Sequence, residues 1–176
     1  MSDYMIAYLP SKEVSDYATK LIIELGEKYN EKYLIENPRP VHVTLKSPFE
    51  IEDIEPVELL LENFVNGVKS ADVSASDFAD FRGHVFFLKA NFSEEALEIQ
   101  KKLTEKLKSF LYMDKYSEQF TPHLTITYAN TQESYDGIVS SLTNLPKPNF
   151  KFKFDNVTIL KKVGNAWKVY KRFEIQ

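Results

Sequence analysis

The chain has 176 residues, a formal net charge of −4 and no cysteine. A chain without cysteine has no disulfide scaffold, no thiolate metal site and no cysteine nucleophile. Hydrophobic residues make up 43% and charged residues 27%, a balance that is typical of globular rather than disordered chains. Apolar runs such as residues 85–88 are far too short to span a bilayer, so we expect a cytoplasmic protein with no membrane partner.

The charge is distributed unevenly along the chain. Residues 1–85 contain 8 Lys and Arg against 16 Asp and Glu, whereas residues 86–176 contain 14 against 10. Affinity for long nucleic acid comes largely from neutralising many phosphates, to which an acidic chain is poorly suited. The charge therefore argues against long DNA as a partner and favours a small nucleotide or a short RNA.

Hydrophobic spacing in the first half predicts the order strand, helix, strand, helix, strand. The short turn and capping residues Ser11, Pro56 and Gly83 mark where these elements begin or end. The predicted elements are a strand at 4–9, a helix after Ser11, a strand at 41–45, a helix with Pro56 in its first turn, a strand at about 73–81 and a turn at Arg82-Gly83.

The second half repeats this order and ends in a hairpin. Ser93 would cap its first helix, and Gly164-Asn165 predicts the hairpin turn. The predicted elements are a strand at 84–91, a helix from Ser93 to about Phe110, a strand at 120–128, a helix at about 133–142, and hairpin strands at 150–163 and 166–175.

The shared order of elements predicts the fold class. We expect an α+β fold in which two pseudo-symmetric, mostly antiparallel sheets face a central cleft, with helices outside. No low-complexity linker divides the sequence, so residues 1–176 would form a single bilobal domain with lobe-forming repeats at about 1–83 and 84–176. We expect this domain to be a monomer.

Two of the three histidines stand in one repeated pattern, His42-Val-Thr-Leu45 and His123-Leu-Thr-Ile126. Side chains alternate across a strand, so each histidine shares a face with the threonine two residues later, while the apolar residues enter the core. If the two sheets face each other, both His–Thr pairs line one cleft. The third histidine, His84, lies at a predicted turn outside the pattern.

Such a cleft suits a phosphodiester. A neutral imidazole can accept a proton from the attacking oxygen, and a protonated one can donate to the leaving oxygen. Histidine has an unperturbed pKa near 6.5, so both forms are accessible close to neutral pH. This scheme needs neither a metal nor a cofactor, and no His-x-His or His-x-x-x-His spacing indicates a zinc site. We expect His123 to act as base toward water and His42 as acid toward the leaving oxygen, although the near symmetry of the motifs leaves the opposite assignment open.

These residues resemble the paired motifs of the 2H phosphoesterase superfamily. The stretch Pro40-Val-His-Val-Thr-Leu-Lys-Ser-Pro-Phe49 is most similar to its bacterial 2'-5' RNA ligase-like branch, and the resemblance extends over essentially the whole chain. It implies a bilobal fold and the hydrolysis of 2',3'-cyclic phosphates or 2'-5' linkages, as in cyclic phosphodiesterases and RNA processing. On this resemblance His42 and His123 match the catalytic histidines, and Thr44 and Thr125 match the phosphate-binding residues.

Four further residues are candidates for substrate binding. Lys46 and Thr127 continue the alternation of the motifs and would extend the cleft, unless a bulge follows the motif. Phe49 and Tyr128 would stack a base, although large aromatics are more often core residues. The lysines of the C-terminal hairpin are either an RNA-tracking patch or, as we favour, the solvated face of a half-buried hairpin.

Two other functions are compatible with this sequence. The same cleft would bind a nucleotide or an RNA end without turning it over, as a non-catalytic module. A 2'-5' RNA ligase would run the reverse reaction, but no sequence feature favours ligation over hydrolysis.

Overall fold

The computed structural model describes residues 1–114 and 119–176, and within these residues the chain forms eight strands and five helices. The strands are β1 (Ser2–Tyr8), β2 (Val43–Ile51), β3 (Ala71–Phe81), β4 (Val85–Phe92), β5 (His123–Tyr128), β6 (Phe150–Phe154), β7 (Asn156–Val163) and β8 (Ala166–Glu174). The helices are α1 (Lys12–Lys28), α2 (Tyr33–Glu36), α3 (Glu55–Val65), α4 (Glu94–Leu107) and α5 (Gln132–Thr143). Among these residues no helix is long and apolar enough to cross a membrane.

The strands form two four-stranded sheets, ordered β2-β1-β7-β8 and β5-β4-β3-β6, in which every pairing is antiparallel. One large cluster of buried side chains joins residues of both sheets, such as Ile6 and Val73, to helix residues such as Leu61 and Leu103. The predicted α+β class with two antiparallel sheets is confirmed.

The predicted division into lobes at about 1–83 and 84–176 is wrong for the sheets. Strand β3 pairs with β4, and β7 pairs with β1, so the first half places β3 in the other half's sheet and the second half places β7 and β8. The cause is the tight turn between β3 and β4. Arg82 and Gly83 both have positive φ, 54° and 70°, and the His84 amide donates to the Phe81 carbonyl at 3.1 Å, so the chain reverses within residues 82–84 and both strands stay in one sheet.

The segment 150–163, predicted as one strand, is two strands in different sheets. Strand β6 pairs with β3, the chain then crosses over at Asp155, and β7 pairs with β1. The fully buried side chain of Asn156 fixes this crossing. Its Oδ1 accepts hydrogen bonds from the Leu9 amide (3.1 Å) and the Thr158 hydroxyl (2.9 Å), and its Nδ2 donates to the Leu9 carbonyl at 2.8 Å.

The helix starts are only partly as predicted. Ser93 caps α4, since its hydroxyl accepts a hydrogen bond from the Ala96 amide at 3.2 Å. Ser11 occupies the corresponding position of α1, but its side chain makes no capping bond. Helix α2 was not predicted, because four residues are too few to show a helical period.

We predict that Asn156→Leu lowers the free energy of unfolding by about 2–4 kcal/mol, because it removes the buried side-chain amide that bonds to the partly buried amide and carbonyl of Leu9. Urea denaturation measures this change. Asn144→Leu, at an exposed position, is the matched control, for which a change within about 0.5 kcal/mol is expected. Equal stabilities of the two variants would contradict the role given to Asn156.

Candidate active site

The two motifs lie on corresponding edge strands. Strand β2 is at the edge beside β1, and β5 is at the edge of the other sheet beside β4. These two edge strands contact each other. The predicted alternation holds within each motif, since Val43, Leu45, Leu124 and Ile126 are buried. The histidines and threonines between them are half-buried on the opposite face.

All four motif residues line one cavity of about 230 Å³. The structure therefore brings together His42, Thr44, His123 and Thr125, as the sequence predicts. The cavity is also lined by residues that sequence reasoning missed: Met5, Ile22, Leu34, Arg39, Pro40, Val41, Pro48 and Trp167. A larger groove, between α3 and α4, contains none of the motif residues.

A β-bulge follows each motif and ends the alternation. The register between β1 and β2 shifts after Thr44, and that between β4 and β5 shifts after Thr125. As a result Leu45 and Lys46 are both buried, and so are Ile126 and Thr127. A bulge inserts one residue and reverses the faces of those that follow. The expectation that Lys46 and Thr127 extend the cleft is therefore wrong, and each is only 2% exposed.

The Lys46 ammonium does not face the cleft, and it interacts with other groups of the protein instead. Its Nζ donates to the Ser47 carbonyl (3.1 Å) and hydroxyl (3.0 Å) and lies 3.7 Å from an Asp114 oxygen. Phe49 packs against the core, and its ring centroid lies 6.3 Å from that of Tyr4. Of the four further candidates, only Tyr128 lines the cleft.

Both motif histidines are held by the same type of hydrogen bond. Nδ1 of His42 lies 2.7 Å from the Pro40 carbonyl oxygen, and Nδ1 of His123 lies 2.7 Å from that of Thr121. A carbonyl oxygen only accepts hydrogen bonds, which assigns the hydrogen to Nδ1 in both rings. Nε2 is then the nitrogen that can exchange a proton with a ligand in the cleft.

Burial lowers the pKa of both rings. The pKa of His42 falls to about 4, mainly because its protein surroundings disfavour the charged form, and the nearby charges of Arg39 and His123 add to this. Burial also lowers the pKa of His123, whose ring centroid lies 4.9 Å from that of Phe81 and 5.1 Å from that of Phe87. The hydrogen bonds to Pro40 and Thr121 oppose these shifts. Both imidazoles are therefore neutral near pH 7 in the ligand-free protein.

The threonine hydroxyls have little to bind in the protein itself. Among the described residues, Thr44 Oγ1 has only a weak contact, 3.9 Å, with the sulfur of Met5. Thr125 Oγ1 has no hydrogen-bond partner within residues 1–114 and 119–176. Two hydroxyl donors thus remain for a ligand beside the two imidazoles.

A match to a protein family covers most of the chain. The family described as the 2'-5' RNA ligase superfamily matches residues 18–166, which include both motifs. The chain belongs to the 2'-5' RNA ligase superfamily. The resemblance predicted from the motifs is confirmed, and the same two motifs mark this superfamily member as a 2H phosphoesterase relative.

Relatives and solved structures agree with this membership. A Bacillus licheniformis protein named "Putative phosphoesterase" is 25% identical over 175 residues, which are 97% of this chain and 96% of that protein. The apo structure of E. coli LigT has a TM-score of 0.63 at 16% identity, covering 99% of this chain and 98% of LigT. LigT complexed with 3'-AMP gives 0.58 at 15% identity, with the same coverage. At these identities the likeness to LigT concerns the fold.

Lysines of the segment predicted as the C-terminal hairpin pair with carboxylates, one on β6 and one on β8. Lys153 Nζ lies 2.6 Å from an Asp72 oxygen, and Lys171 Nζ lies 2.7 Å from a Glu58 oxygen. Pairing with acidic groups reduces the charge left for RNA, which supports the solvated face that we favour from the sequence.

We predict that His42 makes the stability of the protein depend on pH. The folded-state pKa lies below the ordinary 6.5, so between pH 6.5 and 4 the unfolded chain binds more protons, and stability falls as the pH falls. His42→Gln should remove up to about 3 kcal/mol of that loss. Urea denaturation at pH 7 and pH 4.5 tests this, with His84→Gln as control. An unchanged pH dependence in His42→Gln would contradict the prediction.

Proposed function

We propose that this protein hydrolyses a nucleotide phosphodiester, either a 2',3'-cyclic phosphate or a 2'-5' linkage, by two-histidine acid–base catalysis without a metal. The observation that carries the proposal is the convergence of His42, Thr44, His123 and Thr125 on one cavity. Membership of a superfamily with relatives named as phosphoesterases supports it. We propose that the protein acts as a cytoplasmic monomer in RNA processing.

A small nucleotide is the substrate class that the cleft favours. A cavity of about 230 Å³ is smaller than most pockets for drug-sized ligands, so it would hold the phosphate and part of the sugar. Tyr128 at the lining would stack the attached base. The 3'-AMP complex of LigT shows that a protein of the same fold binds a nucleotide of this kind.

Catalysis needs one histidine as base and one as acid. Nε2 of the base takes a proton from water as the water oxygen attacks phosphorus. Nε2 of the other, protonated histidine gives its proton to the ribose oxygen that leaves, and a phosphomonoester results. The hydroxyls of Thr44 and Thr125 donate hydrogen bonds to the non-bridging oxygens, where negative charge accumulates in the transition state.

The surroundings of the two rings favour one histidine as the base and the other as the acid. His42 has the more strongly lowered pKa of about 4, so it is the ring held neutral and suited to act as base. His123 then acts as acid. This assignment reverses the expectation from the sequence, in which His123 is the base and His42 the acid. The negative charge of a bound phosphate raises both pKa values and so allows His123 to be protonated near neutral pH.

We predict that His42→Ala and His123→Ala each reduce kcat/KM by at least about a hundredfold, as is typical for the loss of a catalytic acid or base. Hydrolysis of 2',3'-cyclic nucleotides and 2'-5' dinucleotides, followed by chromatography, measures this. His84→Ala is the matched control and should retain full activity. Turnover at the wild-type rate by either motif variant would remove that histidine from the mechanism.

The same substrate panel separates the alternative functions. Activity that survives EDTA supports the metal-independent scheme. Binding without any product over the full panel would favour a non-catalytic module. Joined 2'-5' products from RNA ends would instead favour a ligase.

We predict a bell-shaped pH dependence whose limbs belong to different histidines. The residual activity of His42→Ala should lose the acidic limb, because that limb reports the protonation of the base. His123→Ala should lose the basic limb, because the acid is missing. The opposite pattern in pH–rate profiles would reverse the two roles.

A further inference from the structure

The lining of the cleft contains little permanent charge. Among the described residues that line it, Arg39 alone carries a permanent charge, and the remaining side chains are apolar, hydroxyl, phenol, indole or imidazole groups. Both imidazoles are neutral in the ligand-free protein because burial lowers their pKa. A phosphodiester brings at least one negative charge into this cavity. A cation that is already charged before the ligand arrives would favour its binding.

Arg39 has donors available for such an anion. No carboxylate lies within ion-pair distance of Arg39 in the part of the chain that the structure describes. Its Nε makes one long hydrogen bond, 3.4 Å, to the Asn37 carbonyl, and its guanidinium lies over the Tyr33 ring at 5.4 Å. The two terminal nitrogens of the guanidinium have no hydrogen-bond partner among the same residues.

The segment that carries Arg39 is held in place. Pro38 and Pro40 flank it and restrict the backbone on both sides. The Trp167 amide of β8 donates to the Pro38 carbonyl at 2.9 Å, and Asn37 Nδ2 donates to the Tyr33 carbonyl at 3.0 Å. The guanidinium is therefore presented by a fixed loop, so little conformational entropy is lost when an anion binds.

Its neighbours place Arg39 between the reacting histidine and the aromatic end of the cleft. The Pro40 carbonyl next in the chain accepts the hydrogen bond from His42 Nδ1. Tyr33, under the guanidinium, meets the ring of Tyr128 edge-on at 5.2 Å. The charge of Arg39 adds to the burial that lowers the pKa of His42, and it opposes the burial that raises the pKa of Tyr128. A phosphate held by the histidine Nε2 atoms and a base against Tyr128 would thus lie on either side of it.

We propose that Arg39 binds the phosphate oxygens of the substrate and supplies the permanent positive charge of the cleft. The planar guanidinium forms paired hydrogen bonds to phosphate that an ammonium or amide cannot reproduce. This inference rests on the proposed function for the identity of the ligand. It goes beyond the two motifs, because neither of them contains Arg39.

Binding of 3'-AMP to the ligand-free protein, measured by calorimetry, tests this without turnover. Arg39→Gln and Arg39→Met should each raise Kd by at least about tenfold, the loss expected for a charge-assisted contact. Arg39→Lys should lose less, because it keeps the charge. Arg82→Gln is the matched control, an exposed arginine outside the cleft, and should bind as the wild type does. Circular dichroism verifies that each variant is folded.

A second readout separates charge from packing. NMR titration of the His42 imidazole should give a higher pKa in Arg39→Gln and Arg39→Met, and an unchanged one in Arg39→Lys. A structural role over Tyr33 would not produce this pattern, since methionine preserves most of the aliphatic contact.

The outcomes are distinguishable from those of the proposed function. Kd values within twofold of the wild type in folded Arg39→Gln or Arg39→Met would overturn the role of Arg39, and so would a wild-type protein that does not bind 3'-AMP. Arginine-dependent binding without hydrolysis of any substrate would preserve the role of Arg39 and remove the proposed enzymatic function.

Discussion

The exchange of strands between the two halves of the chain is the constraint on which the rest of the molecule depends. Because β3 pairs with β4 and β7 pairs with β1, the first half contributes β3 to the second half's sheet, and the second half contributes β7 and β8 to the first half's sheet. This pairing leaves β2 and β5 at the outer edges, where they meet. The two motifs face one cavity because of this arrangement, although about eighty residues separate them in sequence.

The two halves of the chain position their motif histidines and threonines in the same way. Each histidine donates Nδ1–H to the carbonyl two residues earlier, each threonine follows on the same face, and each strand then bulges. The surroundings of the two histidines differ in charge. The first half contributes Arg39 beside His42, whereas the ring of His123 packs against Phe81 and Phe87. Two similar motifs thus stand in different surroundings, although burial lowers the pKa of both histidines.

The sequence predicted the parts that depend on local pattern. Alternation around His42 and His123 was sufficient to predict both pairs on one face. The faces of Lys46 and Thr127 could not be predicted, because a bulge depends on the register with a partner strand. The sheet crossing at Asp155 depends on the buried contacts of Asn156 with Leu9, 147 residues away. Arg39 was missed since nothing about an arginine between two prolines indicates a cleft.

The exchange of strands also determines when the protein can become functional during its synthesis. Strands β1 and β2 leave the ribosome early, but β1 stays unpaired on one side until β7 has been made. Pairing over such a sequence separation forms late and leaves the edge of β1 open in the nascent chain. The segment that carries Arg39 likewise gains the hydrogen bond from the Trp167 amide only after β8 has been made. A partly translated chain therefore contains both histidine motifs before it contains a finished cleft, and it depends on the last strands to close its first sheet.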